Sequence, residues 1–249
     1  MNKSLVICPV YNEASTLAAF YNAIRSFYKG DILFIDDGSK DGSFPIIQGI
    51  EDKRKKFIRL SSRKGYGSVL LMGFRFALRG EYEKVVTIDT DLQHNPLHLP
   101  VFMEKLEYYR VVSGSRYLRA NPKDIAENVP PERLIINRQV SKLISILFGF
   151  QSSDPFCGFR GYRRSFLEKV DLKEKSYGFA LEVLLEIIRL DVSFFEIPVE
   201  VIYKDKNRQF LDGLEDPEKR FFYYLDIILK KYEVLRSKKE ESFNCQPSS

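Results

Sequence analysis

Cysteine is scarce in this chain. Three residues, Cys8, Cys157 and Cys245, odd in number and far apart, argue against both a disulfide framework and a zinc site. Long apolar runs are missing too: LISILFGF, from Leu143, is less than half the ~18 residues a membrane span needs. The N-terminus, MNKSLVICPVYNE, has one Lys and only a short apolar segment before Pro9, which is not the pattern of a signal peptide. Neither charge dominates. Lys plus Arg number 39 against 34 Asp plus Glu, interspersed, so there is no basic stripe and no nucleic-acid partner is expected. The expectation is a reduced, cytoplasmic chain that meets a membrane, if at all, peripherally at its cytoplasmic face.

What remains is globular material. With 249 residues and 44% hydrophobic content, the chain can bury a sizeable core. LVIC (5–8), ILFID (32–36), FIRL (57–60), VVTID (85–89) and VVSGS (111–115) read as strands buried on both faces. Between them lie helical stripes, such as Leu17, Phe20, Tyr21, Ile24, Phe27 and Tyr28. Repeated strand–helix units predict an α/β fold with a mostly parallel sheet covered by helices on both faces. Residues 1–216 form the main domain, divided near 117; 217–238 form a C-terminal amphipathic helix with Phe221, Phe222, Leu225, Ile228, Leu229, Tyr232 and Leu235 as its stripe; 239–249 read as a disordered tail. The segment from Arg119 to Pro131 reads as a long loop that orders on substrate binding.

In such a sheet, ligands bind beyond the carboxyl ends of the strands. Four strand ends here carry polar groups: Glu13 in CPVYNE, Asp36 and Asp37 in FIDDGSKDGS, Asp89 and Asp91 in VVTIDTDLQ, and Ser115 with Arg116 in SGSRY. Each motif alone has a structural reading as a turn, a cap or a solvated helix start, and an Asp-x-Asp pair is expected roughly once by chance. Their convergence on one sheet edge is what those readings do not explain. Asp89, Asp91 and Gln93 offer hard oxygen donors suited to Mg²⁺ or Mn²⁺ with a diphosphate, and RKGYGS (63–68) adds cations and glycines at a strand-to-helix turn that favours phosphate. It is not a Walker loop. His94 and His98, at i and i+4, lack an HExxH context and read as packing or surface residues.

PVYNE, DDGSKDGS, RKGYGSVLLMGF, DTDLQHNP, GSRY, DPFCGFRGYRR and EIPVE, in that order, resemble the family 2 glycosyltransferases, and within them the dolichol- or polyprenyl-phosphate mannosyl- and glucosyltransferases. The resemblance implies a GT-A fold, a nucleotide-sugar donor (a UDP- or GDP-hexose), a divalent cation and an inverting transfer. It places Pro9, Tyr11, Glu13, Asp37, Lys64, Gly65 and Asp89 at the nucleotide sugar. Asp89, Asp91 and Gln93 fall at the metal, and Ser115, Arg116 and Arg138 at the acceptor. Asp89, Asp91, Arg116 and Asp154 form the catalytic set.

The acceptor is then a lipid phosphate, with a saccharide or protein hydroxyl as the alternative. A hydroxyl would need Asp154 as its general base. After EIPVEVIY the chain departs from the family pattern, leaving Lys204, Lys206 or Arg208 to replace the usual acceptor-phosphate cations. A non-catalytic nucleotide-sugar-binding module is the rival reading; a sugar nucleotidyltransferase is disfavoured because the first strand ends in PVYNE rather than a glycine-rich loop. Packing of the C-terminal helix on the domain, in a homodimer or on a membrane surface are all open at this level.

Overall fold

The computed structural model of the chain describes residues 3–202, 210 and 213–244. Among these described residues seven strands form one sheet: β1 (Ser4–Val10), β2 (Asp31–Asp36), β3 (Lys55–Arg59), β4 (Lys84–Thr87), β5 (Val111–Ser115), β6 (Arg160–Arg163) and β7 (Phe194–Pro198). Nine α-helices among the same residues flank it: α1 (Ala14–Phe27), α2 (Ser43–Gly49), α3 (Tyr66–Arg79), α4 (Leu99–Lys105), α5 (Pro122–Asn128), α6 (Pro131–Phe148), α7 (Arg164–Leu167), α8 (Phe179–Leu190) and α9 (Pro217–Asn244). The sheet order is β3-β2-β1-β4-β6-β5-β7, parallel except for β6, which runs antiparallel to both β4 and β5.

Successive strand side chains go to opposite faces, and the apolar runs fill both. Leu5, Ile7, Leu33 and Ile35 pack with α3, α6 and α8, whereas Val6, Cys8, Ile32 and Phe34 pack with α1 and α4. The central strands therefore have no polar face, which is why they read as continuous apolar segments.

Three expectations change. The segment 119–131 is not a bare loop, because Asn121 caps α5 by accepting the Lys123 N–H (2.9 Å) and Pro122 fits the first helical position. The last helix runs past Lys238 to Asn244 where a disordered tail is expected; Lys and Glu are good helix formers, and the packed turns before them already supply the nucleus. The helix's apolar stripe also splits: Tyr224 and Ile228 are buried, whereas Phe222 and Leu229 are exposed. This helix packs against α6 and α8 of its own domain.

Candidate active site

The loops after β1 and β2 are laced together. Asn12, at φ 56°, donates its N–H to Ser39 Oγ (3.0 Å) and accepts the Lys40 N–H (2.9 Å). Asp41 receives the Ala14 and Ser43 N–H groups, so it caps α1 and α2 together. Asp37 does something else. Its buried carboxylate accepts the N–H groups of Lys64 (2.6 Å) and Gly65 (2.9 Å). This corrects the expected phosphate cradle, since two of the RKGYG backbone donors are spent on Asp37. Lys64 itself is exposed, and Gly65, at φ +96°, has no room for a side chain against the Lys175 carbonyl.

Thr87 Oγ1 donates to the Gly158 carbonyl (2.7 Å) and Thr90 Oγ1 to the Pro9 carbonyl (3.1 Å), tying the end of β4 to its neighbours. Between them, Asp89 Oδ1 accepts the Tyr66 hydroxyl (3.1 Å). Burial, followed by the Asp89 charge, raises the Tyr66 pKa well above its ordinary value, so the hydroxyl stays a donor. Asp91 Oδ1 accepts the Gln93 N–H (3.0 Å) across Leu92, which sits at φ 60°. A leucine held in the left-handed region marks a turn whose geometry the surroundings impose. His94 is buried against Phe159, its Nε2 3.8 Å from Asp89 Oδ2, and burial lowers its pKa to about 4, so it is neutral at pH 7. His98 pairs instead with Glu200 (2.7 Å); the two histidines do not converge. No cluster of three or more His, Cys, Asp or Glu side chains able to hold a metal occurs among the described residues.

The other half of the site hangs from β5 and β7. Glu196 accepts the Ser153 N–H with both carboxylate oxygens (3.0 Å each), fixing the turn that presents Asp154. Asp154 is fully buried and receives Arg116 Nε (2.7 Å), Arg116 Nη2 (2.9 Å), the Arg116 N–H (3.1 Å) and Asn137 Nδ2 (3.0 Å). Both of its oxygens are engaged. Ser115 is equally buried: its Oγ meets Ser153 Oγ (2.7 Å) and accepts the Tyr117 and Leu118 N–H groups, shaping the turn that carries Arg116.

These elements enclose a cavity of about 750 Å³. Pro9, Tyr11, Glu13 and Asp37 line it from the ends of β1 and β2, Asp89, Asp91 and Gln93 from the loop after β4, and Arg116 from the end of β5. Gly65, Ser115 and Asp154, all buried, do not line it, nor does the exposed Lys64. Arg138 does not reach it: exposed on α6, it borders a second, smaller cavity with Leu134 and Ser141. Lys204, Lys206 and Arg208 lie outside the described residues. The arginines that do line the main cavity include Arg63, stacked over Tyr11 (5.0 Å), together with Arg133 and Arg220. Arg63 belongs to the RKGYGS turn, whereas the only sequence signal of Arg133 and Arg220 is being basic residues at helix starts, which is common to many surface positions.

The fold has a solved counterpart in glucosyl-3-phosphoglycerate synthase from Mycobacterium tuberculosis, with a TM-score of 0.70 at 18% identity over 93% of this chain and 78% of that one. That architecture is GT-A-like. Two sequence relatives are an undecaprenyl-phosphate mannosyltransferase from Micrococcus luteus, 28% identical over 84% of this chain and 87% of the relative, and a polyprenol monophosphomannose synthase from Mycolicibacterium smegmatis, 30% identical over 79% and 76%. Residues 5–171 match the family described as Glycosyl transferase family 2. The chain belongs to that family and is a glycosyltransferase.

Proposed function

We propose that the protein moves a hexose from a nucleoside-diphosphate sugar to a polyprenyl phosphate. The observation that carries this reading is the placement of charge in one cavity: its carboxylates come from the β2–β1–β4 half of the sheet, with Arg63 beside them over Tyr11, and three further arginines, Arg116, Arg133 and Arg220, come from β5, α6 and α9. Both named relatives handle a polyprenyl or undecaprenyl phosphate and mannose, which supports the same acceptor class and a hexose donor.

Asp89 and Asp91 are hard oxygen donors on one cavity wall, with the Gln93 amide beside them, and this set fits Mg²⁺ or Mn²⁺. Two carboxylates with no third acidic ligand among the described residues would suit an ion that takes its remaining ligands from diphosphate oxygens and water. Such an ion supplies Lewis-acid stabilisation of the charge on the departing diphosphate. The chain's own residues do the rest. Tyr66 holds the Asp89 carboxylate in place, Gly158 leaves the room it occupies, and Arg116, aimed by Asp154, presents positive charge to the phosphates. An acceptor phosphate oxygen attacks the anomeric carbon from the face opposite the diphosphate; the new carbon–oxygen bond forms as the old one breaks, the nucleoside diphosphate leaves with the electron pair, and the configuration inverts. A phosphate is already ionised at neutral pH and needs no base. A hydroxyl acceptor would need one. With both oxygens engaged by Arg116 and Asn137, Asp154 is a positioning residue, which favours the phosphate.

The test is calorimetric titration of UDP and GDP with and without Mn²⁺, alongside transfer of labelled hexose to an isoprenyl phosphate. Asp91→Asn should abolish the metal-dependent part of nucleotide binding and lower transfer by about 10²–10³-fold while the protein stays folded. Metal-independent binding with full transfer in Asp91→Asn would remove the metal from the reading.

A further inference from the structure

Arg220 stands in the first turn of α9 and is only 3% exposed. Its Nη1 donates to the carbonyls of Leu214 (3.0 Å) and Glu215 (3.4 Å), but its buried Nη2 meets no acceptor. An unspent donor on a buried cation is costly, because desolvation is not repaid by a hydrogen bond. Arg133 of α6 comes to the same place. The guanidinium carbons of Arg133 and Arg220 lie 4.9 and 4.1 Å from the centroid of the Phe210 ring, whose flank is met edge-on by Tyr177 at 5.0 Å.

The ring attracts each cation, yet two cations drawn to one ring repel each other, and the repulsion grows as water is excluded. Burial chiefly, and the Arg133 charge in addition, lower the Arg220 pKa below the ordinary arginine value against the opposing effects of Tyr224, Glu132 and Asp216; Glu132 also lies 4.0 Å from Arg133 Nε. The unspent Arg220 donor calls for an acceptor. Guanidinium forks match phosphate oxygens, and a phosphate monoester carries about −1.5 to −2 charge at neutral pH. Both arginines line the cavity that also holds Asp89 and Asp91, but they reach it from α6 and α9 rather than from the β4 end. A phosphate held there is separate from the carboxylate wall that suits the donor diphosphate.

We propose that Arg133 and Arg220 together grip the phosphate monoester of the acceptor, so that the first turn of the C-terminal helix is part of the acceptor site. This rests on the polyprenyl-phosphate reading above and adds the residues that hold its headgroup.

The experiment uses the full chain and three probes: farnesyl phosphate in detergent, inorganic phosphate, and UDP or GDP with Mn²⁺. Arg220→Met and Arg133→Met keep apolar bulk against Phe210 while removing charge and donors, and Arg220→Lys restores charge without the fork. Each Met variant should weaken farnesyl phosphate about 10- to 100-fold, with nucleotide affinity unchanged and the lysine variant in between. In steady-state transfer the loss should fall on the acceptor KM. Thermal melting checks folding; if Arg220→Met does not fold, Arg133→Met and Arg220→Lys carry the comparison. Unchanged farnesyl phosphate affinity in the folded variants overturns the assignment while leaving the polyprenyl-phosphate reading intact, and an equal loss of nucleotide binding overturns it by giving the arginines to the donor. A wild-type protein that binds nucleotide but no farnesyl phosphate sinks both. Inorganic phosphate bound as tightly as farnesyl phosphate, and lost in the same variants, supports the anion site but overturns the lipid as its source.

Discussion

Gly158 has no side chain because Asp89 needs the space. A Cβ built there would lie 2.6 Å from the Tyr66 hydroxyl, closer than non-bonded atoms approach, and a tight 3.0 Å from Asp89 Oδ2, and Tyr66 is packed against the core that surrounds α3. Gly158→Ala should therefore displace the hydroxyl from Asp89 and turn the carboxylate. Groups that orient a metal-binding carboxylate are worth about 10–100-fold in affinity or activity, so transfer and Mn²⁺-dependent nucleotide binding should both fall by that factor with melting little changed. Tyr66→Phe removes the same hydrogen bond without the clash and should fall in the same direction by less. Wild-type Mn²⁺ dependence in Gly158→Ala would show that the contact is only packing. The residues of this cluster differ in how visible they are beforehand. Asp89 and Asp91 are readable because a carboxylate pair at the end of a buried strand has no packing purpose. Gly158 and Tyr66 are not, since their meaning lies in a contact between segments distant in sequence. The same applies to Asp37, whose partners are backbone N–H groups that look identical in any sequence.

Glu186 joins α8 to α9. It is fully buried, takes Arg189 on both oxygens (2.8 and 2.6 Å) and the Asp171 N–H (3.0 Å), and pairs with Lys231 of α9. Burial alone would raise its pKa, but the hydrogen bonds from Arg189 and Lys231 outweigh it and bring the carboxyl down to about 2. A depressed carboxylate pKa stabilises the fold fully above the unfolded value of about 4.3, and that contribution is lost as pH falls towards 2. Glu186→Gln should cost about 1–3 kcal/mol at pH 7 and flatten the loss of Tm between about pH 4.3 and 2, measured by thermal melts across that range. An unchanged acid profile would mean that the clamp carries no charge-dependent stability. At this scale the sequence is legible where burial is simple. The strands β1, β2 and β4 show themselves as apolar runs because both faces are covered. The short strand β6 does not: its RGYR contains Arg160, which is buried and satisfied by Ser113 Oγ and the carbonyls of Ala180 and Pro155, so a core position carries a charge. The C-terminal stripe misleads for a related reason, since α9 buries its Tyr224 and Ile228 face and turns Phe222 outward.

A polyprenyl phosphate keeps its chain in the bilayer, so an enzyme that uses it must bring its cavity to the membrane surface. Among the described residues, no helix is long and apolar enough to cross a membrane. The surface of the described residues carries features suited to attachment. The formal net charge is +5, and α6 and α9, which pack on one another and supply Arg133 and Arg220 to the cavity, expose Ile146 (69%) and Phe222 (61%) beside Lys142 and Lys219. Apolar side chains among lysines on paired helices are the elements of interfacial binding, in which insertion and attraction to anionic lipid add. The attraction is screened within about 10 Å at 0.1 M salt and about 3 Å at 1 M. The protein should therefore cosediment with vesicles containing anionic lipid at low salt and be released as salt rises. Ile146→Ser with Phe222→Ser should weaken that binding while leaving Mn²⁺-dependent nucleotide binding in solution untouched, because neither residue lines the cavity. Absence of any cosedimentation at low salt would move the acceptor from a membrane lipid to a soluble phosphate, and the arginine pair would then be tested with that ligand.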